Sequence, residues 1–338
     1  MSTRPGEQGR RDEAGPVKTR LNALLVAGLV VLLAGLVAYR SGYFNQIAIT
    51  TMIFVILAAS LNLITGTAGL LSLGHGAFFG VGAYAAALLS TKLGWPFWLT
   101  LPAAGAIAAL VGAVVAVPTM RLTSIYFAVA TLGIGEMIYV TLLNWVGVTR
   151  GPMGIRSIPG MEIFGLQGMV FDMTVTATVM LVALWLVHRL THSYYGNSLR
   201  ALREDDACAD AMGIDVGRLK LQSFGMACCL AGVAGGLFAH TTGYISPESF
   251  RFGESILILS MIVVGGLGSI YGSIIGAVLL SVLPELLRDL GSYRMIAVGV
   301  VLFLSILFLP RGLVGEVSAI DLIRRQVKRD PNARRSAW

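Results

Sequence analysis

Glu136 is the one carboxylate well inside the apolar stretch 123–145. An ionisable group at that depth is costly unless water or a partner meets it, so Glu136 is a candidate for a solute path by default. A hydrogen bond to a neighbouring helix accounts for it equally well. Proton coupling would need a relay, and no basic or histidine side chain shares its stretch. His75 lies between Gly74 and Gly76 and shares a helical face with Ser72, Phe79 and Gly82. It either faces a cavity or is a buried imidazole bonded to a carbonyl, which is the commoner case. Asn62 shares a strip with Ala58, Ala59, Thr65 and Gly66 that is too small and polar to favour lipid, so it is expected to face other helices. Asn62, Ser72, His75 and Glu136 are therefore the candidates for a translocation path.

His188 and His192 have the i, i+4 spacing of a zinc-binding helix face. No third ligand accompanies them, and beside Arg189 they read as a helix end at a membrane boundary rather than a metal site. Cys208, Cys228 and Cys229 give no disulfide framework and read as small packing residues. The sequence holds no GxxxxGK[ST] loop, no nucleophile elbow and no cluster of catalytic carboxylates. The chain is thus expected to be no enzyme and to bind no metal or cofactor.

The elements that carry these residues must be membrane helices. Of 338 residues, 56% are hydrophobic, 41 are glycine and only 13% are charged, against about 25% charged in a soluble domain. The apolar residues come in runs near 21–39, 45–64, 70–91, 97–118, 123–145, 169–188, 221–243, 254–287 and 293–309. The runs do not alternate as barrel strands do, and helices are the other way to satisfy every backbone amide in lipid. The expected fold is an all-α polytopic bundle of about eight to ten transmembrane segments with Gly-rich broken or re-entrant helices.

Lys and Arg cluster between the runs, five in 1–20, five in 189–220 and seven in 310–338. The positive-inside bias places all three segments in the cytoplasm against anionic lipid, and nothing suggests nucleic acid. Residues 1–20 are then a basic cytoplasmic tail, 21–310 a permease domain with a cytoplasmic loop at 189–220, and 311–338 a second basic tail. The first run is too long and lacks the cleavage site of a signal peptide, so it is expected to be retained. Nine simple crossings would put the C-terminal tail outside. The stretch 254–287 is too long for one crossing and its centre reads GGLGSIYGSIIG, so it is expected to be a broken or re-entrant pair. A segment of similar texture lies at 66–89. Gly76-x-x-x-Gly80 and Gly272-x-x-x-Gly276 fit close helix packing.

The segment 198–224 is far more charged than its surroundings. Leu199, Leu202, Ala209 and Met212 form an apolar stripe on one short helix, with Arg203, Glu204, Asp205, Asp206 and Asp210 largely elsewhere and a C-cap near Gly213. Its acidic cluster suits a protein partner better than an anionic membrane.

With these residues in view, the chain resembles the LivM-type permeases of branched-chain amino acid ABC importers. The likeness lies in LNLITGTAGLLSLGHGAFFGVGAYAAALL at 61–89, IYFAVATLGIGEMI at 125–138, TRGPMGIRSIP at 149–159 and LREDDACADAMGI at 202–214, in that order. Arg150 and Cys208 depart from the usual glycine and alanine. The resemblance implies a multi-pass protein of a bacterial inner membrane with both termini cytoplasmic. Its implied partners are a second, LivH-like permease, two cytoplasmic ATPases that bind the ATP and Mg, and a periplasmic binding protein. It also implies that Leu202, Arg203, Glu204, Asp206, Asp210, Met212 and Gly213 belong to the segment an ATPase receives. Branched-chain amino acids are the implied substrates, with urea, short-chain amides and, further off, sugars as alternatives. An ion-coupled carrier or a channel would leave the acidic helix unexplained.

Overall fold

A computed structural model describes residues 42–119, 122, 124–162 and 168–287, and singly 296, 299, 300, 303, 312 and 313. The tail 1–20 and the span expected at 21–39 lie outside the described residues, as do most of 293–309 and 311–338. The chain divides into two compact units, Met1–Ala48 and Ile49–Trp338. Of the first, only the opening turns of helix α1 (Gly42–Asn62) are described. The remaining helices belong to the second.

Helix α1 widens into a π turn over Leu63–Thr67. After it come α2 (His75–Leu93), α3 (Phe97–Thr119), α4 (Ser124–Asn144) and α5 (Met169–Thr191). A charged arm of two short helices comes next, α6 (Tyr194–Glu204) and α7 (Asp206–Ala211), before α8 (Val216–Thr242), α9 (Phe252–Gly265) and α10 (Ile270–Leu286). Among the described residues six helices, Tyr43–Thr67 together with α2, α3, α4, α5 and α8, are long and apolar enough to cross a membrane. The protein is a multi-pass, mostly helical membrane protein.

Two stretches are interrupted. The run expected to start at 70 becomes helical only at His75, because residues 68–74 form an irregular link. Gly69 takes φ 73° there, Leu73 N–H donates to Thr131 Oγ1 at 3.1 Å, and a Cβ on Gly74 would overlap the Thr131 carbonyl. The stretch 254–287 is two helices separated by Gly266 and Gly268 at φ 124° and 81°, values that favour glycine. At 1.5 Å per residue α9 and α10 measure about 21 and 26 Å, each shorter than a hydrocarbon core of about 30 Å.

The packing centre is α8, which lies against both α2 and α3. Its glycines set the distance. A Cβ on Gly82 of α2 would overlap the backbone of Gly232, and one on Gly232 would fall 2.7 Å from the Ala104 carbonyl of α3. Gly235 meets the Phe79 carbonyl in the same way. With lipid tails as apolar as leucine, such close backbone approach is what holds membrane helices together. Phe224 of α8 adds edge-on ring contacts to Phe78 of α2 and Phe127 of α4, at 5.4 and 5.5 Å between centroids.

At its C-terminal end α8 stops at Gly243, φ 66°. Strand β2 (Tyr244–Ile245) then pairs antiparallel with β1 (Ile155–Arg156), Ile155 opposite Ile245 and Arg156 opposite Tyr244. His240 adds a staple: its Nδ1 donates to the Pro159 carbonyl at 2.8 Å, and its Nε2 bonds Thr100 Oγ1 at 2.9 Å.

Gly232→Ala is expected to lower the stability of the purified protein by about 1–3 kcal/mol, the usual cost of overpacking. Gly133→Ala, with no described atom within 4 Å of the added Cβ, should leave stability unchanged or raise it by up to about 1 kcal/mol. Thermal unfolding in detergent checks both, and equal stability of the pair would show that the α2–α8–α3 crossing is looser than described.

Candidate functional site

The two glycine breaks touch. Gly66, in the π turn, comes so close that a Cβ on it would overlap Gly268 N and the Asn62 side chain. Asn62 is buried, and its Oδ1 accepts from Gly268 N–H at 2.9 Å. Beyond the π turn the chain bends away, Leu70 N–H returning to the Ile64 carbonyl at 3.2 Å. The Gly66 carbonyl is left at the negative end of its helix, where a cation is favoured. Arg203 of α6 fills that role, its Nη1 donating to Gly66 O at 2.7 Å. A Cβ on Gly69 would stand 2.9 Å from Arg203 Cγ, and one on Gly268 would stand 3.3 Å from Nη1. Arg203, expected within the segment an ATPase receives, is exposed overall while its Nη1 reaches the Gly66 carbonyl.

The arm differs from the single amphipathic helix expected within 198–224 and ending near Gly213. Asp205 is extended, φ −160° and ψ 116°, and splits it. The Asp205 carboxylate accepts from Ala207 N–H and Cys208 N–H at 2.8 and 2.9 Å, capping the second helix as a good N-cap residue does. Leu199, Leu202 and Ala209 are buried, whereas Met212 is 83% exposed and leaves the expected apolar stripe. The turn back to α8 passes through Gly213 at φ 83°. Two contacts fix the arm to α8. Asp206 pairs with Lys220, a buried lysine, and Tyr195 OH donates to the Leu219 carbonyl at 3.4 Å. Burial pushes the Tyr195 phenol up to about 12, so it keeps the proton it donates. Glu204, Asp210 and Cys208 are exposed.

The remaining candidates are spread out. Ser60 hydroxyl donates to the Leu57 carbonyl at 2.8 Å, so His75 Nε2–H donates to Ser60 Oγ at 2.7 Å. His75 Nδ1 and Ser72 Oγ are buried with no hydrogen-bond partner among the described residues. Glu136 lines a small cleft with Leu73, Leu132, Phe250, Phe252 and Ser255. Asn62, Ser72 and His75 are not on it. Gly76 N–H donates to Ser255 Oγ at 2.9 Å, and Gly80 abuts Phe250. Gly272 and Gly276 meet the Gly265 and Met261 carbonyls of α9. The two Gly-x-x-x-Gly pairs thus pack α2 on the 250–255 segment and α10 on α9, not on each other. The rings of His188 and His192 lie 4.1 Å apart, and the described residues hold no group of three metal-ligating side chains.

Sequence reasoning misses the Asp206–Lys220 pair and the Arg203–Gly66 contact. A lone lysine opening an apolar helix is the available signal for the first. It misses the glycines of α8 as well, although LAGVAGGLF at 230–238 carries the same small-residue signature as the Gly-x-x-x-Gly pairs of α2 and α10.

Residues 43–309 match the family model described as branched-chain amino acid transport system / permease component. The chain is 37% identical to the high-affinity branched-chain amino acid transport system permease protein LivM of Escherichia coli, covering 89% of this chain and 76% of that protein. The LivM of Salmonella typhimurium is similar to the same degree. LivH of Escherichia coli is 25% identical over 78% of this chain and 91% of its own length. No solved structure matches. With six membrane-length helices among the described residues, a charged arm between two of them and a family match over most of its length, the chain belongs to the branched-chain amino acid transport permeases.

Proposed function

We propose that this chain is one permease subunit of an ATP-binding-cassette importer in a bacterial inner membrane, passing branched-chain or related amino acids delivered by a periplasmic binding protein. The observation that carries this reading is the α6–α7 arm. Its Leu199, Leu202 and Ala209 are buried, its acidic Glu204 and Asp210 are exposed, and it joins α5 to α8 directly. A permease without a phosphate-binding loop must receive its energy by contact, and a short element held between two spans suits that purpose. The partners are a LivH-like permease and two ATPases that hold the ATP and Mg, so the chain itself binds no cofactor.

In this reading 1–20 and 311–338 are cytoplasmic tails around a permease domain at 21–310, and 189–220 is its cytoplasmic loop. The six apolar helices, with 21–39 and 293–309 added, make eight crossings. The pair α9–α10 enters and leaves on one side, which keeps both termini in the cytoplasm. The Glu136 cleft belongs to the solute path. A carboxylate among Leu73, Leu132 and Phe252 suits a zwitterion whose ammonium needs a counter-charge and whose side chain is aliphatic.

Three outcomes are expected of the complex in vesicles. Glu204→Arg with Asp210→Arg should insert normally yet lose ATPase binding, with ATP hydrolysis and labelled-leucine uptake falling together. Wild-type assembly and uptake would remove the arm from the coupling role. Asp206→Asn should behave differently, lowering thermal stability because the buried Lys220 ammonium loses its counter-charge. An unchanged melting temperature would show that pair to be dispensable. Glu136→Gln should cut leucine uptake about tenfold, the effect of losing one charge-assisted contact, while stimulated hydrolysis persists. Unaltered uptake would place the path elsewhere.

A further inference from the structure

We propose that Arg203 is a positioning residue that passes the movement of the cytoplasmic arm to both glycine breaks at once. This rests on the reading of the chain as an ATPase-driven permease. It goes further by assigning Arg203 to the membrane side of the arm and by naming what it moves.

The connection is short and continuous. Leu199 and Leu202 seat α6 against the bundle, and the Asp206–Lys220 pair fixes α7 to α8. Arg203, between these anchors, donates to the Gly66 carbonyl at 2.7 Å. Four residues earlier, Asn62 Oδ1 accepts from Gly268 N–H at 2.9 Å. A displacement of α6 therefore acts on the end of α1 and, through Asn62, on the hinge between α9 and α10. The guanidinium is held to a helix terminus by charge as well as by a hydrogen bond, while the aliphatic stem rests on Gly69.

Three glycines keep this path open. A Cβ on Gly66 would overlap Asn62 and Gly268, and side chains on Gly69 and Gly268 would press on Arg203. Gly69 and Gly268 also hold φ at 73° and 81°. Both breaks thus lie within reach of one side chain that belongs to neither. The rigid planar guanidinium can hold the Gly66 carbonyl while lying beside Gly268, a fixed geometry that the flexible point charge of a lysine lacks.

The test uses the complete importer in vesicles. Arg203→Met keeps the stem on Gly69 and removes the donors. The variant is expected to assemble and to hydrolyse ATP within about twofold of wild type. Uptake per ATP should fall about tenfold, which corresponds to one lost charge-assisted hydrogen bond. Arg203→Lys should fall between the two, a graded response that a purely structural defect would not give. Wild-type uptake per ATP in Arg203→Met overturns the proposal. If Arg203→Met does not assemble, hydrogen exchange on the wild-type complex decides. Trapping the ATPases in their closed state should change exchange at 62–70, at the Gly268 amide and at 199–204 together, and a change confined to 199–211 overturns the proposal. The two readings fail separately: uptake by wild type without ATP defeats the importer itself, whereas ATP-driven uptake with a fully coupled Arg203→Met defeats only the role of Arg203.

Discussion

In lipid every backbone amide and carbonyl must find its partner within the protein, and each interruption of a helix has to meet that demand. The links at 63–74 and 266–269 meet it with side chains borrowed from elsewhere. Asn62 takes the Gly268 amide, Thr131 the Leu73 amide, Ser255 the Gly76 amide and Arg203 the Gly66 carbonyl. Ser269 serves its own helix by accepting from Gly272 N–H at 3.2 Å. Each break is therefore also a junction, tied to another element by the bond that makes it tolerable. The irregular backbone and the long-range connections are one feature, and the site where function is sought lies where they converge.

Around these junctions the bundle is built on small residues. Gly82, Gly232 and Gly235 bring α2 and α8 into backbone contact, and Gly105 and Gly112 admit Cys229 and Cys228 from α8 against α3. Cys228, wholly buried, and Cys229 are packing residues as expected, whereas Cys208 is exposed on the arm. Outward-facing positions on α4 and α5 are large and apolar instead, among them Ile125, Val129, Met137, Val170 and Trp185. The contrast reflects what each face meets, since close backbones attract one another where lipid gives no preference to larger side chains.

The sequence makes local features plain and hides distant ones. Runs of apolar residues mark the spans, and the turn at Gly213 obeys a rule that needs only its neighbours. The division of the arm at Asp205 is harder to see, because one extended residue in a Glu-Asp-Asp run looks the same as a continuing helix until its carboxylate is found bonded to Ala207 and Cys208. Met212 consequently leaves the apolar stripe that a continuous helix would have given it. The partners of Asn62 and Arg203 lie 206 and 137 residues away, and no periodicity in one sequence reports such pairings. The family resemblance locates the arm but does not say which way Arg203 points.

Helix α8 extends this logic across the whole protein. It is pinned near one end by Asp206 on Lys220 and near the other by Pro159 and Thr100 on His240, while at Gly232 it crosses α2 and α3 with no side chain of its own in the way. A rod held at both ends and crossed at a smooth point in between behaves as a lever with a fulcrum. Over its length of about 40 Å, a tilt of about 5° displaces one end by about 3.5 Å relative to the other. In the proposed importer, a load on the β1–β2 rim at one end of α8 would thus be felt at the arm at its other end by simple leverage.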